Sequence, residues 1–117
     1  MADWFTKIQS YCLAKENAFE DHPWGDTVWK IKPKNKIFAG GGSSSSKVTV
    51  RATLDEQAAL IQLPGIVPAA YVGRHGWVTV DLDEPQNEGL IFDLIDRSYE
   101  LVAGSSRKRK HLPKSEP

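Results

Sequence analysis

The chain has 117 residues, of which 40% are hydrophobic, and its 15 lysines and arginines balance its 15 aspartates and glutamates. This length and composition predict one small domain with a modest core. The sequence has neither a run of about 20 apolar residues nor a basic leader before an apolar stretch, which predicts a cytoplasmic protein without a membrane helix. Cys12 is the only cysteine. It excludes an intramolecular disulfide and a thiolate metal cluster, and we expect it in the core.

The first half of the chain predicts one helix followed by three strands. Apolar residues recur at helical spacing over residues 3 to 15. Residues 27 to 32, 37 to 39 and 47 to 51 then alternate as strands, with a turn at residues 33 to 36. The composition of the glycine and serine tract at residues 40 to 46 predicts a flexible loop. The tract also lacks the Lys-Ser/Thr ending and the spacing of a nucleotide-binding loop.

The second half predicts two helices and two short strands. Thr53 and Glu56 form a capping-box signature for a helix to about residue 62, with Leu54, Ala58 and Ile61 facing inward. Short strands are expected at residues 71 to 73 and 77 to 82. A third helix begins at Glu84 and Pro85, since proline is favoured at the first helical position. Residues 105 to 117 lack apolar periodicity, so we expect a domain at residues 1 to 104 and a basic, disordered tail.

This order of elements predicts an α+β fold, a two-layer sandwich. Short connections between successive strands favour an antiparallel sheet of about five strands. Amphipathic helices would cover one face of that sheet. The other face is therefore expected to be open to solvent.

Charge is segregated along the chain. Residues 27 to 54 contain six lysines and arginines and no acid, whereas residues 55 to 100 contain nine acids and two arginines. A basic block over strands creates a local positive potential that attracts phosphate. The residues predicted to bind nucleic acid on the open face and its flanking turn are Lys30, Lys32, Lys47, Arg51, Arg74, His75 and Trp77.

Two structural explanations of the same residues remain open. Strands need polar side chains on their wet face, and lysines there also block edge pairing. Trp77 is equally compatible with a partly buried packing role. The tail cluster from Arg107 to Lys110 suits either non-specific nucleic-acid binding or solubility.

Five segments of the chain form a recognisable series. They are His22-Pro23-Trp24-Gly25-x-x-Val28-x-Lys30, Lys36-Ile37-Phe38-Ala39, Pro64-Gly65-x-x-Pro68-Ala69-x-Tyr71, Trp77-Val78-x-Val80 and Ser98-Tyr99-x-Leu101-Val102. Together and in this order they resemble the MmcQ/YjbR family of small bacterial proteins. The resemblance covers about residues 11 to 102 and implies a CyaY-like fold, named for bacterial frataxin, and DNA binding.

Catalysis is not expected. The sequence contains no His-Glu-x-x-His, no cysteine pair and no Gly-x-Ser-x-Gly, so we predict no enzyme, cofactor or metal site. One alternative is a frataxin-like metal-binding role that uses a carboxylate ridge. The acids in that region are Glu16, Glu20, Asp21 and Asp26. Another alternative is a protein-interaction module anchored by Trp24 and Trp77.

The sequence thus predicts a monomeric, non-catalytic protein that binds DNA through its sugar-phosphate backbone. The chief contacts are expected from Lys30, Lys47, Arg51 and Arg74. The third helix is acidic, so it is unsuited to enter a major groove and read bases. Binding should therefore be weak, sensitive to salt and tolerant of sequence.

Overall fold

The computed structural model describes residues 4–22, 26–41 and 46–103. Three helices and six strands lie within these ranges. The helices are α1 (Trp4–Leu13), α2 (Leu54–Leu60) and α3 (Pro85–Ala103). The strands are β1 (Ala18–Asp21), β2 (Thr27–Ile31), β3 (Lys36–Gly41), β4 (Lys47–Val50), β5 (Ile66–Pro68) and β6 (Val78–Asp81). The predicted tail, the middle of the glycine and serine tract and residues 23–25 lie outside the described residues.

The strands form one antiparallel sheet in the order β1-β2-β3-β4-β6-β5. The predicted α+β class is confirmed, although the sheet has six strands and not about five. The unpredicted strand β1 has the sequence Ala-Phe-Glu-Asp. Its two acids do not favour a strand. Its pairing with β2 depends on the tertiary structure, which local residue propensities do not predict. None of the described helices is long and apolar enough to cross a membrane.

The core lies between one face of the sheet and the helices. Val48 and Val50 of β4 stand opposite Val80 and Val78 of β6, and all four side chains are fully buried. Ile95 of α3 belongs to the same buried cluster. Because side chains alternate along a strand, the residues between these valines point to the opposite, open face.

Ser98 fastens α3 to the middle of the sheet. Its side chain is fully buried; Oγ donates to the carbonyl oxygen of Phe38 at 2.6 Å and accepts from the backbone nitrogen of Arg51 at 2.9 Å. One hydroxyl thereby satisfies two backbone groups, in β3 and just beyond the end of β4. A buried unpaired group would cost free energy, so this serine sets where the end of β4 lies.

Glu20 connects α1 with the sheet. Its Oε1 accepts from Gln9 of α1 at 2.8 Å and from the indole nitrogen of Trp29 at 3.0 Å, and its Oε2 lies 2.8 Å from Nε2 of His22. Burial alone would raise the pKa of Glu20, but these hydrogen bonds outweigh it and hold that pKa below its ordinary value. Cys12 is buried as predicted, and its burial raises the pKa of the thiol to about 12.

The predicted N-terminal cap of helix α2 is confirmed, but its buried face is not the one predicted. Thr53 Oγ1 accepts from the Glu56 amide at 3.1 Å, and the Glu56 carboxylate accepts from the Thr53 amide at 3.0 Å. Leu54 is 57% exposed and Ala58 is also exposed, so their assignment to the core was wrong. The contact side runs instead through residues 57, 60 and 61, which share a helical stripe.

The strand predicted at residues 71 to 73 is also wrong. Strand β5 lies earlier, at Ile66–Pro68, and residues 73 to 75 form a short 3₁₀ helix. Pro68 is tolerated in this strand because β5 lies at the edge of the sheet and the missing amide hydrogen is on the side away from β6.

Strand β5 is one edge of the sheet. The Gly65 carbonyl accepts from Asp81 and the Ala69 amide donates to Trp77, so alternation turns the backbone groups of Ile66 and Pro68 away from β6. The Ile66 amide donates back to the Leu63 carbonyl at 3.3 Å.

Candidate functional site

The open face contains basic side chains from separate strands. In β4, Lys47 and Thr49 alternate with the buried valines. In β2, Lys30 lies between the buried residues Trp29 and Ile31, so it shares the open face with Lys47. Thr49 and Thr79 lie opposite each other, with their hydroxyl oxygens 3.0 Å apart.

Acids from neighbouring strands accompany two of these lysines. Lys30 Nζ lies 2.6 Å from Asp21 Oδ2 of β1. Lys47 stands opposite Asp81 of β6 in the register. Hydrogen bonds from the Asp83 amide and the Ser46 hydroxyl, helped by the charge of Lys47, hold the pKa of Asp81 below its ordinary value. The open face is therefore of mixed charge.

Lys32 is placed differently from the other predicted lysines. It follows β2, where the chain enters the turn to β3, and its Nζ lies 5.5 Å from the centre of the Phe19 ring. A cation over an aromatic face is attracted by the ring quadrupole. This side chain thus belongs to the β1 side of the sheet, away from β5 and β6.

Arg51, Arg74, His75 and Trp77 lie at one end of β4 and β6. The register pairs Val50 with Val78, and its continuation by one residue brings Arg51 opposite Trp77. Arg74 and His75 occupy the 3₁₀ turn that precedes Trp77, and both are exposed. Trp77 itself is half-buried. Lys47 lies at the other end of β4, so the predicted set is divided between the two ends.

Two arginines at this end lack acidic partners. Within residues 4–22, 26–41 and 46–103, no carboxylate lies within ion-pair distance of Arg51 or Arg74. Arg74 Nε donates instead to Nε2 of the neighbouring His75 at 3.3 Å. Their positive charge is thus available to an anion from outside.

The turn that carries Arg74 and His75 is held tightly. Nε2 of Gln57 in α2 donates to the carbonyls of Gly73 and Trp77, at 2.7 and 2.9 Å. Gly76 has a φ of 102° and packs so closely on the carbonyl oxygen of Ala52 that a Cβ would lie 2.1 Å from it. Only glycine suits this conformation and this approach.

Tyr71 is the residue of this region that sequence reasoning missed. The residue is 94% exposed and its φ is 65°. The Val72 amide donates to the Ala70 carbonyl at 2.6 Å, so Tyr71 is the central residue of a γ-turn with the rare, strained sign of φ. The available signal was Pro68, which argues against a strand continuing through Tyr71.

We call Arg51, Tyr71, Arg74, His75 and Trp77 the loop-end surface. It combines Tyr71, Arg74 and His75 of the loop before β6 with Arg51 and the half-buried Trp77 at the adjoining ends of β4 and β6. Such a set can neutralise phosphate and stack against flat groups.

Two of the four acids proposed for a metal have carboxylates that are engaged in other contacts, Glu20 and Asp21. Both oxygens of Glu20 lie in hydrogen bonds, and Asp21 is paired with Lys30. Glu16 is exposed, and its backbone carbonyl accepts from Tyr99. In the described part of the chain, no three side chains of histidine, cysteine, aspartate or glutamate are grouped to hold a metal ion.

Comparison with known proteins identifies the family. A crystal structure of a Pseudomonas syringae protein matches with a TM-score of 0.71 at 23% identity, covering 87% of this chain and 99% of that one. A solution NMR structure from Pseudomonas syringae matches with a TM-score of 0.68 at 22% identity, covering 93% and 97%. Both likenesses concern the fold. No curated protein matches this chain significantly. The YjbR family matches residues 13–101, which confirms the resemblance, and the chain belongs to the YjbR family.

Proposed function

We propose that this protein binds nucleic acid without catalysis and with little sequence preference, through its loop-end surface. The supporting observation is that Arg51 and Arg74 have no acidic partner among the described residues, next to a loop that exposes Tyr71 and is held by Gln57. The DNA binding implied by the MmcQ/YjbR resemblance agrees with this proposal. We further propose that it acts as a monomer in the cytoplasm, with the CyaY-like fold that the resemblance implies.

The electrostatics restrict the contact to one end of the sheet. Lys30 and Lys47 face acids on neighbouring strands, so they add less attraction for phosphate than the sequence suggested. Arg51 and Arg74 are the principal phosphate-binding groups, with His75 beside them. A few phosphate contacts give weak binding that falls as salt rises.

Sequence tolerance follows from the elements involved. The contact is made by a turn and a sheet end, whereas base readout in the major groove needs a helix or a two-stranded ribbon. The long helix α3 packs its apolar side on the sheet and carries acids elsewhere. It therefore repels DNA.

Fluorescence anisotropy of a labelled oligonucleotide at low and moderate salt tests this function. We expect wild-type binding that weakens with salt, and a loss of roughly tenfold or more in the double variant Arg51→Glu/Arg74→Glu. The control is Lys7→Glu, a single charge reversal, half the change made in the double variant, at an exposed position of α1 in the helix layer. It should change affinity by less than about twofold. Absence of wild-type binding at low salt refutes the function, and an equal loss in the control refutes its location.

A further inference from the structure

We infer that the loop-end surface prefers single-stranded nucleic acid, with an unpaired base stacked on Tyr71. This inference rests on the proposed function and specifies the form of its ligand.

The exposure of Tyr71 has no explanation in the fold. Aromatic side chains usually bury most of their area, because that area stabilises a core. Tyr71 as a residue is 94% exposed, and no hydrogen bond or ring contact to its side chain occurs among the described residues. The ring thus contributes little to folding and is available to a ligand.

The backbone beneath Tyr71 is strained and fixed. A φ of 65° is unfavourable for a residue with a Cβ, and such strain is concentrated at functional sites. The Ala69 amide donates to the Trp77 carbonyl at 3.0 Å, and the Gly73 amide donates to the Ala69 carbonyl at 2.9 Å. These bonds close the turn on both sides of Tyr71. A fixed backbone lowers the ordering cost of placing the ring against a ligand.

The neighbouring charges select the ligand. Arg74 lies three residues from Tyr71, and both arginines of the surface lack acidic partners within the described residues. An anionic ligand that also has flat aromatic groups can stack on the Tyr71 ring and pair with the two arginines at the same time. In a duplex the base faces are already stacked, whereas a single strand presents them to aromatic side chains.

Anisotropy titrations with two labelled probes, a single-stranded oligothymidine of about 12 nucleotides and a duplex of the same length, test this preference. We expect the single strand to bind about tenfold more tightly at low salt. Tyr71→Asn is the main variant, because asparagine tolerates a positive φ and keeps the turn while the ring is lost. It should bind the single strand at least about fivefold more weakly, with duplex affinity unchanged.

Tyr71→Phe keeps the stacking ring and serves as the matched control, so it should bind the single strand like the wild type. Equal affinity for both probes, or an unchanged single-strand affinity in Tyr71→Asn, overturns the inference and leaves the proposed function intact. Failure of both probes to bind at low salt overturns the function and the inference together.

Discussion

Replacement of Gly76 by alanine tests the turn that presents the loop-end surface. The added Cβ would lie 2.1 Å from the Ala52 carbonyl oxygen and 3.0 Å from two backbone carbons of residues 52 and 53. All three are backbone atoms and cannot rotate away. The positive φ of 102° is a second obstacle for a residue with a Cβ.

The expected loss in the free energy of unfolding can be estimated from these contacts. An L-residue in left-handed backbone costs about 1–2 kcal/mol. Displacement of residues 52 and 53 also disturbs the Thr53 cap of α2, and loss of a cap costs about 1 kcal/mol. We therefore expect Gly76→Ala to lower the free energy of unfolding by about 3 kcal/mol, a large share of the 5–15 kcal/mol typical of native proteins.

Gly89→Ala provides the matched control. Gly89 lies within α3, is exposed, and has nothing within 4 Å of an added Cβ. Alanine is a better helix former than glycine, so this variant should gain about 0.5–1 kcal/mol. Urea unfolding followed by tryptophan fluorescence measures both changes. A Gly76→Ala protein within about 0.5 kcal/mol of the wild type would contradict the tight packing described for the turn.

Three further perturbations test other contacts. Ser98→Ala leaves two buried backbone groups without partners, so it should lower the free energy of unfolding by about 1–3 kcal/mol, measured by heat or urea. The control Ser10→Ala, on the exposed side of α1, should change that free energy by less than about 0.5 kcal/mol. The pKa of Glu20 is lowered on folding, so its contribution is present above the unfolded value of about 4.3 and is lost as pH falls through the folded value. Melts across this acidic range should have a shallower pH dependence in Glu20→Gln, and an unchanged slope argues against the lowered pKa. Asp21→Asn removes the carboxylate that offsets the charge of Lys30, so Lys30 should add to the attraction for phosphate and oligonucleotides should bind more tightly in low-salt anisotropy. Unchanged affinity would contradict the weakening of Lys30 by Asp21.

Local patterns predicted much of the fold. Valine alternation in β4 identified which residues are buried and which lie on the open face, because a strand reverses its side chains at every step. The capping pair Thr53 and Glu56 marked the start of α2, since both bonds join residues three apart. Both patterns depend on near neighbours in the sequence.

The pairing of lysines with acids on the open face could not be predicted from local sequence patterns. No acid occurs in residues 27 to 54, yet Asp21 reaches Lys30 from β1 and Asp81 faces Lys47 from β6. These pairs depend on strand order, which local pattern does not specify. Tyr71 was missed for the same reason, because its apolar neighbours led to a predicted strand at residues 71 to 73, whereas β5 lies at Ile66–Pro68.

The outward side of β5 offers an incoming chain no backbone donor within the strand. Its two outward positions are Ile66, whose amide is already bonded to Leu63, and Pro68, which has none. Pairing between the β5 edges of two copies would need alternating backbone donors and acceptors, so this edge cannot template the strand stacking that leads to fibrils. Exposed Val67 therefore adds apolar surface there without creating an aggregation site.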